Sequence, residues 1–315
     1  MSKNIAFVFP GQGSQKIGMG KGFFDNFSEA KEVFQEVDDV LGQNLSNLMF
    51  SGDLAELTKT ENTQPALMAV SLAIFKVLSK NSGKNIADLA KFAAGHSLGE
   101  YSALTAASAL NVADAAKILK IRGEAMRDAG AKTAGGMAAV IGTDFETAEK
   151  IASQAAGDEI CQVANDNSVG QIVISGNKTA IERSVAIGQE LGAKKVMPLP
   201  VSGAFHSELV RDAGDKVAEG LQNITVNNPQ IPIIANVTAK AVQDAGEIQD
   251  LLVKQVTSRV RWRETIIELK NQGITDIVEI GAGKVLTGLT RRIDPELNTA
   301  NIEEPEQLDE FLKNL

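Results

Sequence analysis

The sequence predicts an α/β protein in which a small unit of ferredoxin-like strand order interrupts a larger α/β domain. Three observations predict it. Strand-like apolar runs alternate with helix-like stretches through both outer parts of the chain. The segment 130–198 reads instead as β-α-β-β-α-β, the order of a ferredoxin-like unit. The length, 315 residues, suits one large domain or one large domain plus a small one. The expected domains are 1–129 together with 199–315, and 130–198 between them.

In chain order, Ile5-Ala-Phe-Val-Phe9 is an apolar run stopped by Pro10-Gly11, a buried strand meeting a turn. Gln64 to Ser79 reads as a helix, with Pro65 in the first turn, where a missing N–H is tolerated. Leu89 to Ala94 reads as a strand, and Glu100 to Leu110 and Val112 to Asp128 as helices. The glycine-containing stretch Ala129 to Gly136 reads as a flexible link. Inside the insert, strands are expected at Met137 to Ile141, Cys161 to Ala164, Gln171 to Ser175 and Lys195 to Leu199. Helices are expected between them at Phe145 to Ala156 and Lys178 to Leu191. Pro232 to Ala235 and Asp276 to Ile280 read as two more strands, the second entering Gly281-Ala-Gly283 and another helix.

Composition narrows the function. With 43% hydrophobic and 23% charged residues, the chain has the makings of a sizeable core. A single cysteine, Cys161, excludes an internal disulfide and any Cys-based zinc or iron–sulfur site. Two histidines, His96 and His206, leave little for a His-rich metal centre. The net charge of −9 argues against a general nucleic-acid binder. The long uncharged stretch Gly220 to Ala239 is broken by Pro229 and Pro232 and carries several Asn and Gln, so it cannot span a bilayer. Met1 to Lys16 has no targeting pattern. A soluble cytoplasmic protein is expected, with no nucleic-acid or membrane partner.

Gly95-His-Ser-Leu-Gly99 matches G-x-S-x-G, and it falls between an expected strand and an expected helix. That is the context of a nucleophile elbow, in which a sharp turn exposes the serine. The plainer alternative is a glycine-bounded turn with Ser97 as a helix cap. A serine nucleophile needs a base. His96 is expected to point elsewhere, which leaves His206, in Pro200-Val-Ser-Gly-Ala-Phe-His-Ser207, just after the insert. An isolated histidine is more often a satisfied core or surface residue, and spacing alone does not bring it to Ser97. Gly11-Gln-Gly-Ser-Gln15 follows the first strand, where open α/β sheets place ligands. It is no dinucleotide fingerprint, since Lys16 stands where the third glycine belongs, and no P-loop. By itself it reads as a tight turn, and Arg122 by itself as a solvated surface charge.

Together these segments resemble the malonyl-CoA:acyl-carrier-protein transacylases over essentially the whole chain. The resemblance is carried by Phe9-Pro-Gly-Gln-Gly-Ser-Gln15, Gly95-His-Ser-Leu-Gly-Glu100, Arg122-Gly-Glu-Ala-Met126, Gly135-Gly-Met-Ala138 and Phe205-His-Ser207. Asn236-Val-Thr-Ala239, Gln255-Val-Thr-Ser-Arg-Val-Arg-Trp262 and Glu279-Ile-Gly-Ala-Gly283 complete it, in the family's order. It implies a hydrolase-like parallel-sheet core carrying the ferredoxin-like insert. It implies Ser97 as the nucleophile that takes malonyl from malonyl-CoA, and His206 as general base and then acid. The backbone N–H groups of Gln12 and Leu98 would form the oxyanion hole, and Arg122 would clamp the malonyl carboxylate. A backbone carbonyl near Gln255 would orient His206, and Asn165 would lie close to the active site.

The implied acceptor is the phosphopantetheine thiol of acyl carrier protein, in fatty-acid synthesis, with no metal or redox cofactor. A carrier protein is acidic in such systems and so is this chain, so docking calls for a local basic patch. Lys194 and Lys195 rank ahead of Arg259, Arg261, Arg263, Arg291 and Arg292, because the insert is expected to overhang the site. The alternatives are a methylmalonyl-type extender serving polyketide assembly, a thioesterase, and a non-catalytic carrier-binding scaffold.

Overall fold

The computed structural model describes residues 4–201 and 203–315. β1 (Ile5–Phe9) leads through α1 (Lys21–Asn26), α2 (Ser28–Leu41), α3 (Leu45–Ser51), α4 (Leu54–Thr58), α5 (Thr60–Ser82) and α6 (Ile86–Leu89) to β2 (Phe92–Gly95). α7 (Gly99–Ala106) and α8 (Val112–Lys132) follow. Next come β3 (Gly135–Ile141), α9 (Phe145–Ala156), β4 (Cys161–Ser168), β5 (Gln171–Asn177), α10 (Lys178–Glu190) and β6 (Lys195–Pro198). The chain then passes α11 (Arg211–Leu221), β7 (Ile233–Ile234), β8 (Ala241–Val242), α12 (Ala245–Gln255) and α13 (Trp262–Asn271). It closes with β9 (Asp276–Ile280), α14 (Val285–Ile293), β10 (Asn298–Ile302) and α15 (Pro305–Lys313).

The core sheet has the order β10-β9-β1-β2-β7-β8, parallel except for the β7–β8 pair. Every residue of β1 is buried, so its run is apolar without alternation, as a sheet covered on both faces requires. Chain order switches at β1, whose neighbours β2 and β9 come from opposite parts of the sequence. Such a switch leaves a crevice beyond the strand ends. The Gly11 loop after β1 and the Ser97 turn after β2 both open into it.

The second sheet is antiparallel, in the ferredoxin-like order β4-β5-β3-β6. With α9 and α10 it encloses its own apolar cluster, including Ala138, Val140, Ile151, Ile174 and Ile181. Edge strand β4 is joined to the core: Val260 N–H donates to the Ala164 carbonyl at 2.8 Å, and Asp166 N–H to the Val260 carbonyl at 2.9 Å. An ion pair between Arg263 and the buried Asp166, at 2.8 Å, reinforces that joint.

Several local expectations change. The helix expected from Gln64 begins at Thr60, which puts Pro65 inside it rather than in its first turn. Its missing N–H forfeits one helical bond, yet the helix persists because residues Thr60 to Ala69 are all buried. Leu89 closes α6 instead of opening β2; Asn85 and Asp88 cap that short helix reciprocally. The link expected to be flexible at 129–136 is mostly regular, since α8 continues to Lys132 and β3 starts at Gly135. Burial of Ala129 and Gly130 keeps that end of α8 in place. α7 stops at Ala106, short of the expected Leu110, and β4 runs beyond Ala164 to Ser168. Among the described residues no helix is long and apolar enough to cross a membrane.

Candidate active site

Gly95 ends β2 and Gly99 opens α7, leaving three residues to turn the chain. A Cβ on Gly95 would stand 1.9 Å from the Gly99 carbonyl carbon, and one on Gly99 would stand 2.2 Å from the Phe9 carbonyl oxygen. Close backbone approach therefore demands both glycines. Ser97 takes φ 53°, a left-handed conformation that costs a non-glycine residue roughly 1–3 kcal/mol. Two side chains hold it there. Asn236 Oδ1 accepts the Ser97 N–H at 2.8 Å, and Gln255 Nε2 donates to the Ser97 carbonyl at 3.1 Å. Asn236 Nδ2 also donates to the Gly95 carbonyl at 2.7 Å, tying the turn to its strand.

His206 Nε2 lies 2.8 Å from Ser97 Oγ. On its other side, Nδ1 donates to the Gln255 carbonyl at 2.9 Å and lies 3.1 Å from the Ser258 carbonyl. Carbonyls only accept, so the ring proton sits on Nδ1 and the Nε2 lone pair faces the hydroxyl. Burial first, and Arg122 second, push the His206 pKa down to about 3, so the ring is neutral at pH 7. His96 turns away, with Nε2 2.8 Å from Asn167 Oδ1 and its ring 5.6 Å from that of Trp262.

Arg122 is 1% exposed, not a solvated charge. Its Nη1 donates to Gln64 Oε1 at 2.6 Å, and its Nη2 to Gln255 Oε1 at 2.9 Å and to Ser97 Oγ at 3.1 Å. None of these acceptors is a carboxylate. Nε has no hydrogen-bond partner among the described residues. The Tyr101 ring faces the guanidinium at 5.7 Å. Burial lowers the Arg122 pKa, but a guanidinium of this intrinsic basicity stays charged. A buried cation whose hydrogen-bond acceptors are all neutral is suited to receive an anionic group.

These residues line a cleft of about 380 Å³ between the two sheets. Gln12, Ser97, Arg122 and His206 are among its polar residues, while Met126, Met137, Val173, Leu199, Val201, Phe205 and Leu286 make apolar walls. Gln12 Oε1 accepts from Thr60 Oγ1 at 3.0 Å, and Thr60 Oγ1 accepts from Gln64 Nε2 at 2.8 Å. Among the described residues, the backbone N–H groups of Gln12 and Leu98 donate to no other group. Asn165 is buried in the cleft wall contributed by the insert. Lys194 and Lys195 are exposed beside and on edge strand β6 and do not line the cleft. Arg292 of α14 reaches the rim instead, donating to Gln171 at 2.6 Å. Cys161 is buried, and burial pushes its thiol up to about 12, which suits packing rather than chemistry. Among the described residues no group of three or more His, Cys, Asp or Glu is placed to hold a metal ion.

The structure also brings in residues that carried no role in the sequence reading. Gln64 and Thr60 belong to a polar run, Thr60-Glu-Asn-Thr-Gln64, that is buried at the head of α5. Asn236 and Glu100 sit within recognisable motifs, and the Ser258 carbonyl has no sequence signal at all.

The Acyl transferase domain family matches residues 6–300 of the chain. The malonyl CoA-acyl carrier protein transacylase of Bacillus subtilis is 42% identical over 316 residues, 100% of this chain and 98% of that protein. The chain belongs to the malonyl CoA-acyl carrier protein transacylase family. The Salmonella typhimurium member is 41% identical over 308 residues, 98% of each chain. The solved acyl-carrier-protein-S-malonyltransferase of Bartonella henselae is 46% identical, covers 99% of each chain and superposes with a TM-score of 0.95. A malonyl-transacylase solved in complex with a type II PKS acyl-carrier protein is 40% identical, with a TM-score of 0.95 over 99% of this chain and 100% of that one. The parallel-sheet core with its antiparallel insert is thus the family's fold. As a family member, the chain is an acyltransferase.

Proposed function

We propose that this enzyme transfers malonyl from malonyl-CoA to the phosphopantetheine thiol of acyl carrier protein through a Ser97 acyl-enzyme, in fatty-acid synthesis. The observation that carries the reading is the buried Arg122 guanidinium, 3.1 Å from Ser97 Oγ and without a carboxylate among its acceptors. A malonyl group attached at Ser97 brings its free carboxylate close to that cation. An acetyl group leaves the cation on neutral partners alone, roughly 1–3 kcal/mol less favourable.

His206 Nε2 takes the hydroxyl proton as Ser97 Oγ attacks the thioester carbonyl. The backbone N–H groups of Leu98, at the head of α7, and of Gln12 receive the negative charge that develops on the carbonyl oxygen. The carbon–sulfur bond breaks, and His206 returns the proton to the departing thiol. The carrier thiol then attacks the acyl-enzyme by the reverse sequence. Thioester is exchanged for thioester, so the proposed reaction calls for no metal or redox cofactor. The apolar walls around the polar residues support exclusion of water, which would otherwise hydrolyse the ester. Asn165 contributes to the wall, and Lys194 and Lys195 to docking of the acidic carrier. With Cys161 its one cysteine, the chain suits the reducing cytoplasm, where we place the reaction.

Intact mass, recorded after separate incubation with malonyl-CoA, acetyl-CoA and methylmalonyl-CoA and again after adding carrier protein, tests the reading. A malonyl adduct on Ser97 that passes to the carrier is expected. No adduct with any donor overturns the mechanism; preferential methylmalonyl loading reassigns the extender; loss of the adduct as free malonate would make the enzyme a thioesterase.

A further inference from the structure

Glu100 is 3% exposed and is absent from the cleft lining, yet it stands directly behind the reacting residues. Its Oε2 accepts from Gln255 Nε2 at 2.6 Å and from the Asn236 N–H at 3.2 Å. Asn236 and Gln255 are the two residues whose side chains hold the strained Ser97 peptide groups, and Gln255 also carries Arg122. Burying a carboxylate is costly, and burial pushes this one up to about 7. The hydrogen bonds that offset the cost go to those two residues.

An amide side chain has a donor end and an acceptor end of nearly the same shape. Ionised, or protonated on Oε1, Glu100 offers Oε2 as an acceptor alone, and the Arg122 guanidinium only donates, so between them Gln255 has one satisfied orientation. A flipped amide would set NH₂ against the guanidinium, and its oxygen against both Glu100 Oε2 and the Ser97 carbonyl. We propose that Glu100 is a positioning residue for acyl selectivity: through Gln255 it fixes the direction in which Arg122 presents its guanidinium to the acyl carboxylate at Ser97. This rests on the malonyl reading above.

The test compares full-length wild type, Glu100→Gln and Glu100→Asp in three rates: malonyl loading, acetyl loading and Ser97 labelling by an uncharged fluorophosphonate. Glu100→Gln keeps an acceptor oxygen at the same reach, so the malonyl-to-acetyl ratio stays within about 3-fold of wild type. Glu100→Asp withdraws the oxygen by about 1.5 Å, and the ratio falls about 10-fold while labelling changes less than about 3-fold. Equal loss of all three rates, or an unchanged ratio in Glu100→Asp, overturns the positioning role. Wild type that takes malonyl while Glu100→Asp keeps its ratio rejects this inference alone; wild type that takes no malonyl rejects the underlying reading and this inference with it. Should Glu100→Asp fail to fold, Glu100→Ala carries the same expectation.

Discussion

Arg122 Nη2 stands 3.1 Å from Ser97 Oγ, the same oxygen that meets His206 Nε2 at 2.8 Å. One buried cation therefore touches the Ser97 hydroxyl and raises the cost of protonating the imidazole that faces it. His206 accepts a proton only while neutral, and burial followed by Arg122 hold its pKa near 3. Ser97 labelling by an uncharged phosphonate should stay fast down to about pH 4 before it falls. Arg122→Ala removes the second cause, so the midpoint of that fall moves to higher pH. A midpoint that stays put would remove Arg122 from the electrostatics of the base.

Arg122→Ala should also lose selectivity. Without the guanidinium fork, malonyl loading falls about 100-fold and acetyl loading by less than about 10-fold. Arg122→Lys restores charge without the planar fork, and recovers only part of the loss. Equal loss for both acyl groups would show that Arg122 supports the fold of the site and does not clamp the carboxylate.

The elbow glycines predict a stability result. Gly95→Ala places a methyl 1.9 Å from the Gly99 carbonyl carbon, backbone against backbone. α7 has to leave the sheet to admit it, which costs more than about 3 kcal/mol by denaturant unfolding. A Gly95→Ala protein of wild-type stability would contradict the close packing of β2 on α7.

Two buried groups act on stability in opposite directions as pH changes. The His206 pKa is depressed, so the unfolded chain binds its proton first and this contribution rises with pH between about 3 and the ordinary 6.5. Glu100 is raised from 4.5 to about 7, so the folded state holds the proton longer and this contribution falls as pH rises through that window. Glu100→Gln removes only the falling part. Relative to wild type, its melting temperature should climb between pH 4.5 and 7. Parallel melting curves for the two proteins across this range would refute the raised Glu100 pKa.

Reversing Lys194 and Lys195 together to Glu tests the docking patch. At low salt the KM for carrier protein should rise several-fold, and about 0.3 M salt should narrow the gap, because the attraction is screened. Malonyl-CoA loading should be unaffected, since neither lysine lines the cleft. An unchanged KM moves the dock elsewhere on the surface.

Much of the fold was legible because it depends on neighbours in the chain. The apolar run of β1, the span of α9 and the strand order of the insert all follow from local pattern, and each stands where the pattern placed it. The misplaced boundaries have a common origin. Pro65 is tolerated inside α5, and residues 129–136 are mostly regular, because burial against distant segments outweighs local propensity. In the site, Ser97 was visible through its flanking glycines, whereas nothing local singles out Gln64 within its polar run, and the Ser258 carbonyl has no local signal at all.

The sequence by itself determined the turn that exposes Ser97, since a sharp strand-to-helix turn needs its glycines within a few residues. Only the tertiary structure decided that His206, 109 positions along, meets Ser97, and that Gln255, 133 positions from Arg122, contacts both the His206 ring and the guanidinium. It also decided that Arg122 is buried and, among the described residues, donates to no carboxylate, where its helix position alone suggests a solvated charge. Hydrogen bonds between distant segments form only when the fold of the larger domain brings those segments together, and no spacing along the chain encodes that closure.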